Sequence, residues 1–264
     1  MTIMLLLFCP FMKKMEPSMN KVITIPIMCF TLMEEVSSML GIYFAIFISV
    51  VLPLSVFIYA LYTRRVFPYV LGVLAFVISQ VVLRIPLLNY LDTNSISYNM
   101  FSVTKPVIYV ILLGFSAGIF EEVARFIAMR FVMKRHDWKA GLLFGVGHGG
   151  IEAVLFLGLH AVIQLFTQTI FVDGEAYALG ATERFFAILL HIGLSIIVLQ
   201  SVVTKRIRYF VIAVVLHGVI DSFVGLVPMI ISGQPATWIL EGLLVVMSIS
   251  VIVYSIQLKR KGVL

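Results

Sequence analysis

Four stretches of this sequence set polar or ionisable side chains one helical turn apart inside runs that are otherwise apolar. They are Glu121-Glu122 with Arg125, His148 with Glu152, His191 with Ser195, and His217 with Asp221. A separation of four residues puts each pair on one helix face. The residue types suit hydrolysis. Breaking an amide needs a base to activate water, a proton donor for the leaving amine, and donors for the developing oxyanion. Glu121 is the candidate base, with His148 and His217 to hold the water and stabilise the oxyanion. Asp221, one turn from His217, is expected to orient that imidazole. Glu122 and Arg125 read as an ion pair that fixes Glu121, while Glu152 and His191 serve equally as site or support. Ser195 reads as a packing hydroxyl, since no Ser-His-Asp logic surrounds it, and Phe144 as packing. The cofactor expectation is none, or one divalent metal such as zinc. His148, Glu152, His191 and His217 are the candidate ligands for three-plus-water coordination, although no HExxH is present.

These groups need elements to carry them. Of 264 residues, 61% are hydrophobic and 12% charged, with mean hydropathy +1.11. A soluble domain carries about 25% charged residues, so lipid must be the solvent of this chain. Apolar runs long enough to cross a bilayer as helix lie near 38–61, 68–90, 106–132, 140–166, 183–203, 209–231 and 237–257. Barrel strands, about ten alternating residues each, do not fit such runs. The expected fold is all-α, a polytopic membrane bundle of about seven helices, formed by one domain over 33–264. Residues 1–32 read as a leader: Lys13, Lys14 and Lys21 precede an apolar run over 22–33 too short to span. Either a translation-start artefact or an interfacial segment accounts for it. Cys9 and Cys29 supply neither a disulfide framework nor a metal spacing.

The formal net charge of +6 does not point to nucleic acid, because the basic residues fall in short clusters between spans. Arg64 and Arg65, then Lys134, Arg135 and Lys139, then Lys205, Arg206 and Arg208, and last Lys259, Arg260 and Lys261 mark alternate connections. The positive-inside rule then gives a cytoplasmic C-terminus and an external Glu34–Glu35, in a bacterial plasma membrane. With that orientation, His148 and His217 lie about nine residues from the cytoplasmic end of their helices, and Glu121 and His191 about eleven or twelve. At 1.5 Å per residue these are depths of roughly 13–18 Å. Each charged side chain at such depth costs about 2.5–3.5 kcal/mol. The cost is tolerable only where the groups pair or line a wet cavity, so the four helices are expected to bring them into one layer. Gly145, Gly147, Gly149, Gly150 and Gly218 beside them serve close helix packing or admit substrate backbone. Arg84 is expected to pair with Glu122 or Glu152, Arg184 to snorkel outward, and His160 and Glu241 to reach interfacial water.

The order of motifs adds a resemblance. Glu121-Glu122-x-x-Arg125, Phe144-x-x-x-His148 and His217-x-x-x-Asp221, on successive helices, resemble the intramembrane protease superfamily of CAAX prenyl endopeptidases and PrsW proteases. With GHGGIEA at 147–153 and HIGLS at 191–195, the chain looks most like the YhfC family of glutamic-type intramembrane proteases, over about 33–260. The resemblance implies Glu121 as base, His148 as its partner on the water, and His217 with Asp221 at the oxyanion. It implies a membrane-embedded or lipid-anchored peptide as substrate. Two features depart from the CAAX pattern: two residues rather than three separate the Glu pair from the Arg, and Asp221 stands where Asn is usual. An ionised Asp cannot donate as Asn does, so Asp221 becomes an orienter or a ligand, and prenylated substrates are not implied. The rival readings are a proton-coupled transporter, for which intramembrane Glu, Asp and His are equally normal, and a non-catalytic scaffold or immunity protein. The absence of an inverted repeat and the small size weigh against the transporter.

Overall fold

Seven helices long and apolar enough to cross a membrane account for most of a computed structural model of the chain, which describes Val36, residues 38–167 and 173–262, and Leu264. They are α1 (Ser38–Tyr62), α2 (Val66–Asn94), α3 (Pro106–Val132), α4 (Trp138–Thr167), α5 (Gly174–Thr204), α6 (Arg208–Ile230) and α7 (Gln234–Arg260). The helices have 23 to 31 residues, so at 1.5 Å per residue each is longer than the roughly 30 Å hydrocarbon core. A short helix, Ile96–Thr104, fills the connection between α2 and α3. No strand occurs among the described residues, as the apolar runs predict. The expected leader, 1–32, lies outside the described residues, as do Glu34–Glu35.

The central helix is α5, which packs on α4, α6 and α7, while α4 also packs on α2, and α3 lies along α6. Lipid-facing positions are apolar: Phe47, Leu54, Val82, Leu112, Ile163, Val211 and Val246 are all exposed. The α2–α4 contact is made at glycine on both sides. A Cβ on Gly147 would stand 2.1 Å from the Tyr69 carbonyl oxygen, and one on Gly72 would stand 2.1 Å from that of Phe144. Small residues at a membrane interface let backbones approach this closely, and dispersion then acts between whole helices. This explains the glycine run around His148 as packing: Gly147 faces α2, while Gly145 and Gly149 face Ile192, His191 and Ile188 of α5.

Capping ties the basic ends together. Asp137 accepts from Ala140 N–H at 3.0 Å as the N-cap of α4, and both its oxygens accept from Arg65 at 2.8 Å. The α1–α2 and α3–α4 connections therefore share one end of the bundle. Partial burial pushes the Asp137 carboxyl up, but the Arg65 guanidinium and the Ala140 N–H outweigh it and hold Asp137 below the ordinary carboxylate range. Asp173 caps α5 in the same way through Ala176 N–H at 3.0 Å.

Four stretches are π-helical: Phe47–Val51, Val77–Arg84, Ala128–Val132 and Val154–Gly158. The first two run up to a proline, Pro53 and Pro86, whose missing N–H and bulky ring disturb the preceding turn. Such insertions re-aim side chains and are frequent at functional sites.

Candidate active site

Five side chains from four helices meet around one carboxylate oxygen. Oε2 of Glu121, on α3, has His148 Nε2 of α4 at 2.9 Å, His217 Nε2 of α6 at 3.7 Å, His191 Nδ1 of α5 at 4.0 Å and an Arg125 nitrogen at 4.0 Å. The rings of His148 and His191 are 5.0 Å apart and those of His191 and His217 5.5 Å apart. All five residues are buried. The layer expected from depth is thus one contiguous cluster, reached by helices running in alternating directions.

Each member is held from behind. Arg125 donates to Glu122 Oε1 at 2.7 Å and to His191 Nδ1 at 3.1 Å. A guanidinium only donates, so Nδ1 of His191 accepts and the ring proton of a neutral His191 lies on Nε2. That nitrogen is 2.5 Å from Glu152 Oε2. Glu152 Oε1 accepts from Arg184 at 2.7 Å, and Arg184 also contacts Glu183. Arg184 therefore turns into the bundle rather than snorkelling: a partly buried carboxylate on α4 within its reach outweighs interfacial water. His148 is packed edge-on by Phe76, with ring centroids 5.3 Å apart, and stacked by the fully buried Phe144 at 6.4 Å. Its Nδ1 has no hydrogen-bond partner among the described residues.

His217 meets two carboxylates. Its Nδ1 donates to Glu122 Oε1 at 2.8 Å, the closer of the two. Asp221 instead has its Oδ2 3.7 Å from Nε2, with its side chain 34% exposed. Distance and burial both favour Glu122, which projects from α3 directly into α6, whereas Asp221 must reach back along its own helix. Arg84 pairs with neither Glu122 nor Glu152. It donates to Ser116 Oγ at 2.9 Å, Leu113 O at 2.9 Å and Gln80 Oε1 at 3.1 Å. Ser195 is fully buried and its hydroxyl has no partner, consistent with packing rather than nucleophilic chemistry.

Gln80 is a site residue that the motif reading passed over. Its Nε2 donates to Glu121 Oε1 at 2.5 Å from the π-helical stretch of α2. The signal was the four-residue spacing of Gln80 and Arg84, the same one that marks the charged pairs.

The side chains also fit a divalent cation. Glu121, His148 and His191 offer ligand atoms within 4.8 Å of one another, all buried and from three helices. Nitrogen and carboxylate donors of this kind suit zinc, and His148 turns Nε2 toward Glu121, so both present their donor atoms to one point. Arg125 occupies the one lone pair of His191 Nδ1, so a cation bound at that nitrogen would displace this donor.

A family model described as YhfC intramembrane metalloprotease matches residues 44–175 and 165–245. The uncharacterized membrane protein YhfC of Bacillus subtilis (strain 168) is 33% identical over 148 residues, covering 46% of this chain and 57% of that protein. The match thus spans little more than half the length of this curated relative. No solved structure matches. The two matched segments run together from residue 44 to 245 and take in Glu121, His148, His191 and His217, well over half of the chain, which therefore belongs to the YhfC intramembrane metalloprotease family.

Proposed function

We propose that this protein is an intramembrane endopeptidase that hydrolyses a peptide bond of a membrane-embedded or lipid-anchored substrate. It does so in a multi-pass fold of the bacterial plasma membrane with its C-terminus in the cytoplasm. The observation that carries the reading is the convergence on Glu121 Oε2, with His148, His191 and His217 within 2.9–4.0 Å of it. A carboxylate surrounded by imidazoles below the membrane surface is the combination that water-dependent amide cleavage needs.

In this mechanism Glu121 Oε2 accepts a proton from the attacking water as its oxygen bonds to the scissile carbonyl carbon. His148, hydrogen-bonded to the same oxygen, aligns the water. His217, whose Nδ1–H donates to Glu122, presents Nε2 to the carbonyl oxygen and, as the doubly protonated imidazolium, donates to it as charge develops there. The proton held by Glu121 then passes to the amide nitrogen as the C–N bond breaks, leaving a new carboxyl and a new amine end. Glu122, Arg125, His191 and Glu152 fix the geometry. Glu121, His148 and His191 would hold a divalent cation such as zinc, which when bound supplies Lewis-acid polarisation of the carbonyl and a more acidic water. The family description supports a cation there; Glu121 would then be both ligand and proton acceptor, since an ionised carboxylate oxygen has more than one lone pair.

The test uses purified protein in proteoliposomes with a model transmembrane peptide and, separately, with entrapped small solutes. Peptide cleavage that a membrane-permeant chelator stops and added zinc restores is the expected result. Solute flux without cleavage would replace this reading by the transporter, and cleavage indifferent to chelation would remove the cation.

A further inference from the structure

The two oxygens of Glu121 have different neighbours. Oε2 faces the histidines, whereas Oε1 accepts from Gln80 Nε2. The Gln80 amide is in turn gripped by Arg84, whose guanidinium donates to its Oε1 at 3.1 Å. A side-chain amide can turn over and exchange its oxygen and nitrogen with almost no change of shape. Here chemistry forbids the turn at both ends. A guanidinium has no acceptor, so it must face the amide oxygen, and an ionised carboxylate has no donor, so it must face the amide NH2. Arg84 is itself fixed by Ser116 Oγ and Leu113 O, both on α3, the helix that carries Glu121. Both donors lie on α2 and the acceptors on α3 lie at two levels: Arg84 holds Ser116 and Leu113, and through Gln80 the network reaches the candidate base.

Among the described residues Arg84 has no hydrogen bond to a carboxylate, so ion pairing at contact distance within them does not account for a charge that is costly to bury in a membrane. Gln80 and Arg84 sit four residues apart in the π-helical stretch before Pro86, which brings both side chains to the Glu121 side of α2. We propose that Arg84 and Gln80 are positioning residues that dedicate Glu121 Oε1 to the Gln80 amide and so leave Oε2 as the oxygen that exchanges the proton with water. The proposal rests on the reading of Glu121 as the base. Neither residue touches the substrate. Arg84 acts through Gln80, and Gln80 through Glu121, in the way that outer partners of site residues commonly set orientation.

The experiment measures kcat and KM on the model transmembrane peptide for Gln80→Met, Gln80→Glu, Arg84→Met and the double variant Gln80→Met/Arg84→Met. Gln80→Met keeps the volume of the side chain and removes its donor, so kcat falls about 10- to 100-fold while KM is unchanged. Gln80→Glu places acceptors against Glu121 and loses at least as much. Arg84→Met lowers kcat in the parent but adds nothing in the Gln80→Met background, since its effect passes through the amide. Independent, multiplicative losses from the two residues would overturn the relay, as would Gln80→Met with the parent's kcat. A second readout needs no substrate. The infrared carboxylate band of Glu121, isolated as the difference between the protein and its Glu121→Gln variant, shifts when the same difference is taken in the Gln80→Met or Arg84→Met background; an unshifted band in both overturns the proposal. A parent protein that cleaves nothing would defeat the functional reading, and the infrared comparison would then decide the relay by itself.

Discussion

Arg125 ties the Glu121 cluster to its supporting residues. It is fully buried, bonds Glu122 and His191, and stands 4.0 Å from Glu121. Removing one partner of a buried ion pair leaves the other charge without compensation and costs about 3–5 kcal/mol. Arg125→Met should therefore lower stability by about that much in detergent, read as the midpoint of thermal unfolding. Arg125→Lys should recover little, because a point charge cannot bridge Glu122 and His191 as the planar fork does. A Met variant with the parent's midpoint would show that the pair contributes no stability. Glu121, His148, His191 and His217 were legible from sequence because charge at four-residue spacing inside apolar runs has few structural explanations. Their partners were not. Whether His217 meets Glu122 or Asp221, and whether Arg184 turns inward to Glu152, depends on how α3 to α6 are rotated against one another. No spacing within a single helix carries that information. Gln80 was missed because a neutral amide in an apolar run raises no alarm, although its spacing to Arg84 repeats the pattern of the charged pairs.

Among the elements, α4 meets α2 with no room to spare. Its Gly147 meets the Tyr69 carbonyl oxygen with no room for a Cβ, whereas Gly242 on α7 has nothing within 4 Å of the same position. Gly147→Val must force α2 and α4 apart, and overpacking of this kind costs about 1–3 kcal/mol or more. It also moves His148 on α4 relative to Phe76 and Gln80 on α2. The expected outcome is a joint loss of thermal stability and cleavage for Gly147→Val, with neither changed for Gly242→Val. Equal behaviour of the two variants would contradict the close α2–α4 contact. The expected spans match the helices best where apolar residues continue to the end. The exception is α5, expected near 183–203 and found as Gly174–Thr204. Its first turns are polar, with Glu175 near the start and Asp173 as cap, so hydropathy missed what capping chemistry specifies. The π-helical stretches had no sequence signal beyond the prolines that follow two of them.

At the scale of the whole molecule, composition pointed to lipid as the solvent and the apolar runs to about seven helices, the number found among the described residues. Orientation follows from a separate argument. Arg65 joined to Asp137 puts the first two basic connections at one end, and the alternation of helices puts Lys205, Arg206 and Arg208 there as well. Reporter fusions after Arg65, Lys139 and Arg208 should all report cytoplasm. An external signal at any one of them would contradict the seven-span topology. That end is also the nearer surface to the Glu121 layer, so under the proposed topology and mechanism the water has its shorter route from the cytoplasm.

The central claim is that Glu121 exchanges a proton with the water that cleaves the substrate, and Glu121→Gln tests it most directly. The amide keeps the shape of the carboxyl but cannot take the proton, and it is cheaper to bury than an ionised group, so the variant should insert and unfold like the parent. Cleavage of a model transmembrane peptide by the purified variant should fall by about 10²- to 10⁴-fold, the usual contribution of a general base. A folded Glu121→Gln protein that cleaves at the parent's rate would remove Glu121 from the mechanism.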